Sequence, residues 1–123
     1  MIELDFSSHQ PIYEQIIQQV KMALSKGELQ PGDAIPSVRK MALELSVTPA
    51  TVAKAYQELE RQKIIETIRA KGTFIAANVQ MKVDDDKLTI IQKKITGEVL
   101  ELKMMGYSVE EVKQFVAEIY ATL

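Results

Sequence analysis

The sequence predicts a mainly α-helical chain with one small β-hairpin and two further helices after it. Three observations carry this expectation. Two short apolar-striped segments, one opening at Ser37 and one at Thr48, each begin with a hydroxyl side chain, and a turn of about three or four residues separates them. The helical period gives way to alternation at Ile64, and a helical pattern returns from Lys87.

The first helix is expected over Pro11 to Lys26. Pro11 suits a first helical turn, and Ile12, Ile16, Val20 and Leu24 recur every fourth residue with Tyr13, Ile17 and Ala23 beside them. Gly27 is a natural stop. "GELQPGDAIPS" then reads as a loop, punctuated by Pro31-Gly32 and Pro36. Ser37 is the N-cap of a short helix with Val38, Met41, Ala42 and Leu45 on one side, and "LSVTP" breaks it. Thr48-Pro49 pairs a capping hydroxyl with proline at the first helical position. The helix it starts is expected to end near Gln62 and to bury Val52, Ala55, Tyr56 and Leu59.

Ile64, Glu66 and Ile68 then alternate with Ile65, Thr67 and Arg69, and Thr73-Phe74-Ile75 follows Gly72. Two such runs around "RAKG" read as a hairpin. A helix-turn-helix followed at once by a hairpin is a winged helix-turn-helix, so residues 1–76 are expected to form that domain. Residues 77–86, polar and ending in a run of three aspartates, read as a linker. Residues 87–123 read as a short two-helix dimerisation tail. Leu88, Ile91, Ile95, Val99 and Leu102 make a seam about two heptads long. Gly106 ends it, Ser108 and Glu111 form a capping box, and the last helix presents Val109, Val112, Phe115, Val116 and Ile119. These helices are too short to close a core alone, so the seam and the stripe of Val112, Phe115, Val116 and Ile119 are expected to make a homodimer.

Composition narrows the function class. With 46% hydrophobic and 26% charged residues the chain has the balance of a globular protein rather than a disordered one. It has no cysteine, which removes disulfides and thiolate metal sites. The N-terminus lacks the basic and apolar regions of a signal peptide, and no apolar run approaches the roughly 20 residues that span a bilayer. A cytoplasmic protein without a membrane partner is expected. The net charge of −2 hides an asymmetry. Between Ser37 and Ala76 seven basic residues stand against four acidic ones, whereas the remainder to Leu123 is acidic on balance. A local basic face is what a phosphate backbone responds to.

The segment Gly27 to Ala76 resembles the N-terminal domain of the GntR superfamily of bacterial regulators. "PGDAIPSVRKMALELSV", "TVAKAYQELE", the isoleucine doublet entering the hairpin and "KGTFI" carry the likeness in order over about 50 residues. Tyr56 and the short C-terminal part are similar to the YtrA-type branch, in which two helices after the DNA-binding domain make the dimer and no metabolite-binding domain is present. The chain departs from the family pattern at Ser46 and Ala70, where glycine is common, and at Gln62 or Lys63, where a glycine often follows the recognition helix. Lys40 stands where an acidic residue usually completes a capping box with Ser37.

The resemblance implies a sequence-specific DNA-binding transcription regulator, a repressor acting on an inverted-repeat operator. The recognition helix starts at Thr48. Thr48, Pro49, Ala50 and Thr51 are small enough to approach the major groove closely, and Lys54 lies one turn on. Arg39 corresponds to the family's DNA-reaching arginine, and a guanidinium can bind guanine bidentately; Ser37 beside it suits a phosphate. Arg69, Lys71 and Gly72 form a basic wing suited to the minor groove or its flanking phosphates. Double-stranded DNA and a second copy of the chain are the expected partners. No cofactor and no metal are expected: His9 is the only histidine, and neither a phosphate-cradling glycine loop nor a Ser-His-Asp set is present. An enzyme is therefore not expected, and the sequence names no small-molecule effector.

Overall fold

The computed structural model describes residues 2–79 and 83–123. The elements are α1 (Ile12–Ser25), β1 (Ala34–Ile35), α2 (Val38–Leu45), α3 (Pro49–Arg61), β2 (Ile65–Ile68), β3 (Gly72–Ile75), α4 (Asp85–Met104) and α5 (Val109–Ala121). They fall into two compact units, Met1–Gln80 and Met81–Leu123.

In the first unit α3 packs against both α1 and α2, and a three-stranded antiparallel sheet of order β1-β3-β2 closes the other side. The predicted hairpin is β2–β3, in register Ile65 with Ile75 through Ile68 with Gly72. The third strand was not expected. Ala34 and Ile35 pair with Phe74 and Thr73. The Gln30-Pro31-Gly32-Asp33 turn aims them there: Asp33 N–H donates to the Gln30 carbonyl (3.0 Å) and Gly32 has φ +87°, the left-handed third position of a type II turn. Ile16, Val20, Val52, Leu59, Ile64 and Ile75 meet in the core with almost no exposed surface. The apolar spacings of the sequence are thus the buried faces of α1 and α3.

The N-terminal segment is strapped to α1 by two glutamines. Gln15 accepts from Asp5 N–H (2.9 Å) and donates back to the Asp5 carbonyl (3.0 Å). One turn on, Gln19 accepts from Glu3 N–H (2.6 Å) and donates to the Glu3 carbonyl. Four helical residues rise about 6 Å and two extended residues about 6.7 Å, so the two periods match. Gln15 is buried with its amide satisfied, as a buried polar group must be.

α1, α2, α3 and α4 end in the same Schellman pattern. In α1 the left-handed residue is Gly27 and in α4 it is Gly106. In α2 and α3 it is Ser46 (φ +56°) and Lys63 (φ +60°), and Ala70 (φ +65°) takes the same conformation at the hairpin tip. These are the positions at which the chain lacks the family's glycines.

The second unit is a helical pair. α4 begins at Asp85, not Lys87, so the last two residues of the expected linker 77–86 are helical, and residues 80–82 of that linker lie outside the described residues. The Asp84 side chain accepts from Asp86 N–H and Lys87 N–H (both 3.1 Å). Asp85 and Asp86 lie in the first turn, where negative charge favours the helix dipole. The aspartate run is a helix start. The Ser108–Glu111 capping box of α5 is fully formed.

Left-handed backbone costs a non-glycine residue about 1–2 kcal/mol, partly offset by the stiffer unfolded chain. Ser46→Gly, Lys63→Gly and Ala70→Gly should each stabilise the protein by about 0.5–1 kcal/mol in chemical denaturation. A midpoint that stays or falls in all three contradicts the assignment of strain.

Candidate nucleic-acid interface

Ser37 opens α2 as expected. Its hydroxyl accepts from Lys40 N–H (3.2 Å), and its carbonyl takes the first helical bond from Met41 (2.8 Å). Only half a capping box forms, because Lys40 cannot return the hydrogen bond that an acidic side chain would. Arg39 lies in the first turn of α2, exposed, with no ion pair or hydrogen bond to its guanidinium among the described residues.

α3 opens at Thr48, whose hydroxyl accepts from Thr51 N–H (3.4 Å) and shares a hydrogen bond with the Thr51 hydroxyl (2.9 Å). Both threonine hydroxyls are therefore engaged in capping. The outward surface of this turn is made of the Thr48, Pro49 and Ala50 side chains, which are exposed, and of the half-buried Thr51. Lys54 is exposed, but its ammonium lies 4.0 Å from the centre of the Tyr13 ring on α1. Nothing in the residue pattern announces this contact. A cation over an aromatic face gains about 0.5–1 kcal/mol at an exposed site. The Tyr13 hydroxyl donates to Glu14 (3.2 Å), a bond that raises its pKa. At the other end of α3, Arg61 makes a bidentate pair with Glu58 (2.9 and 2.5 Å). Arg61, with Gln62, holds the Glu58 carboxyl down at about 2. The positive charge of Arg61 is thereby neutralised locally.

The wing tip is a tight turn in which Lys71 N–H donates to the Ile68 carbonyl (2.9 Å). Arg69, Ala70, Lys71 and Gly72 are all exposed, and neither cation has a charged partner among the described residues. Ala70 tolerates the positive φ that a glycine would take without strain.

Tyr56 joins these parts, and sequence reasoning placed it only in the core. The residue is 5% exposed and its hydroxyl donates to the Pro36 carbonyl (2.6 Å). Burial, with the charge of Glu44 adding to it, pushes the phenol up to about 12, so it stays a donor. Pro36 lies between Ile35, paired with Thr73, and Ser37, the cap of α2.

Comparison with known proteins agrees with this geometry. Residues 12–75 match the family described as bacterial regulatory proteins, gntR family. The chain belongs to that family. Its members are DNA-binding transcription regulators rather than enzymes. The HTH-type transcriptional repressor YtrA of Bacillus subtilis is 42% identical over 98% of this chain and 93% of its own length. A crystal structure titled as a transcriptional antiterminator from Listeria monocytogenes EGD-e superposes with a TM-score of 0.87 at 41% identity, covering 98% of this chain and 90% of that one. YtrA from Sulfolobus acidocaldarius, a GntR-family transcription factor, gives 0.64 at 33% identity over 78% and 97%. The likeness to the Bacillus and Listeria proteins extends over the tail as well as the winged helix. Among the described residues no helix is long and apolar enough to cross a membrane, and no cluster of side chains can hold a metal ion.

Proposed function

We propose that this gntR-family protein is a homodimeric cytoplasmic repressor that binds an inverted-repeat operator. The observation that carries the reading is a set of exposed cations with no partner among the described residues, Arg39 in the first turn of α2 and Arg69 and Lys71 on the wing, together with the exposed start of α3. A protein-binding module has no need of cations around one helix start. A duplex does, because phosphate contacts supply orientation and most of the salt-dependent affinity. In this reading α3 enters the major groove from Thr48. With their hydroxyls engaged in capping, Thr48 and Thr51 offer methyl groups beside Pro49 and Ala50. Arg39 reads a base, Ser37 sits against a phosphate, and Arg69, Lys71 and Gly72 track the neighbouring groove. Lys54 joins by leaving the Tyr13 ring.

The tail is proposed to make the dimer. Leu88, Ile91, Ile95 and Val99 on α4 and Phe115, Val116 and Ile119 on α5 are exposed, and only Leu102 and Val112 are half-buried. An open cavity of about 600 Å³ is lined by Leu102, Tyr107, Val112 and Phe115 among others. Burying side chains of this size is worth roughly 1.5–3 kcal/mol each. Several from each chain, doubled by two-fold symmetry, outweigh an association cost of about 4–15 kcal/mol.

Arg39→Ala should cost about 1–3 kcal/mol on the selected operator and relax preference at one base pair per half-site. Lys71→Ala should weaken all duplexes alike and lower the salt slope by about 1. Equal losses for Arg39→Ala on operator and random DNA contradict base reading. An unchanged slope and affinity remove Lys71 from the interface.

Aspartate at Ile95 and at Phe115 should give folded protein that sediments as a monomer and loses operator affinity far more than half-site affinity. A native protein that sediments as a monomer at micromolar concentrations contradicts the dimer.

A further inference from the structure

We propose that Tyr56 is a positioning residue for DNA sequence reading: its hydrogen bond to the Pro36 carbonyl sets the angle at which Arg39 is presented beside the start of α3. The inference rests on the reading of Arg39 as the base-contacting cation.

Pro36 belongs to neither the β1–β3 ladder, which ends at Ile35, nor α2, which begins at Val38. It has no N–H to donate. The short stretch Pro36–Ser37 is thus the joint between the sheet and α2. The donor that reaches its carbonyl comes from α3, the helix whose own start faces the duplex in the proposed complex. The Tyr56 side chain is buried in the core cluster that includes Ala55 and Leu59, both fully enclosed, and this burial anchors the hydroxyl to the core. A 2.6 Å bond from it holds the joint at a fixed place on α3. Arg39 is three residues beyond that carbonyl, and its guanidinium has no partner of its own among the described residues. Its aim therefore depends on where the joint holds the first turn of α2. Base reading is sensitive to such an angle because a bidentate contact needs both donors in the plane of the base. Phosphate contacts from flexible cations are not.

Tyr56→Phe keeps the ring in the core and deletes only the bond. The full-length chain carrying Tyr56→Phe, Arg39→Ala or both is titrated with an operator duplex selected from random oligonucleotides and with a random duplex of equal length. Circular dichroism and melting confirm the fold of each. Tyr56→Phe should lower operator affinity about three- to tenfold with random-duplex affinity unchanged within about twofold, and should broaden preference at the base pair assigned to Arg39. In the Arg39→Ala background it should cost nothing further, because nothing is left to aim. Equal loss on both duplexes, or an operator loss that persists undiminished without Arg39, makes Tyr56 merely structural and overturns the proposal. If Arg39→Ala lowers the ratio and Tyr56→Phe does not, base reading stands and the positioning role falls. If Arg39→Ala itself leaves the ratio intact, the base-reading assignment fails and the proposal falls with it.

Discussion

The candidate interface depends on how one short joint, Pro36–Ser37, is held between a sheet and two helices. On one side Ile35 is paired to β3, which continues into the wing. On the other, Ser37 caps α2 and so fixes the direction of Arg39. From below, Tyr56 of α3 donates to the Pro36 carbonyl. Two helix starts and a hairpin tip, distant in sequence, are referred to a single backbone group. The apolar core supplies the energy that keeps α3 in place, since Val52, Ala55 and Leu59 are wholly enclosed. Burial of this kind has no direction, and the hydrogen bond adds one.

Electrostatics act at a second level. The sequence is acidic overall, yet the cations at the proposed face have no charged partner among the described residues, while Arg61, at the opposite end of α3, is neutralised by Glu58. The local field, not the net charge, is what a duplex meets at this distance, because ionic screening confines each charge to about 10 Å. Lys54 is intermediate: its charge is present but rests on the Tyr13 ring. A duplex must draw it away, so its contribution is a difference between two favourable positions.

Much of the first unit was legible in the sequence, for physical reasons that differ by element. α1 and α3 announce themselves by a period of three to four that only a helix converts into one buried face. The caps at Ser37 and Thr48 are local, decided within four residues. β1 was not legible, because two residues cannot display alternation and its partner lies about 40 residues on. The glutamine strap was hidden for a related reason: Gln15 and Gln19 bind the backbone of Asp5 and Glu3, which any sequence supplies. The aspartate run that opens α4 reads as linker in the sequence because acidic clusters serve solvent and helix starts equally well. At the site, burial identified Tyr56 as core, but its bond crosses 20 residues to a carbonyl and leaves no pattern. The left-handed residues Ser46, Lys63 and Ala70 did leave one, in the family's glycines that this chain lacks at Ser46, at Gln62 or Lys63, and at Ala70.

The central claim is that the starts of α2 and α3 and the wing tip act on DNA as a single surface. Amide chemical shifts of the isotope-labelled protein, followed during titration with a duplex that it selects from a random pool, test this most directly. Ser37 to Lys40, Thr48, Ala50, Thr51 and Arg69 to Gly72 should shift together at one stoichiometry, while the solvent face of α1 and the body of α5 stay still. Shifts concentrated on α1 or α5, with the two helix starts unmoved, would contradict it.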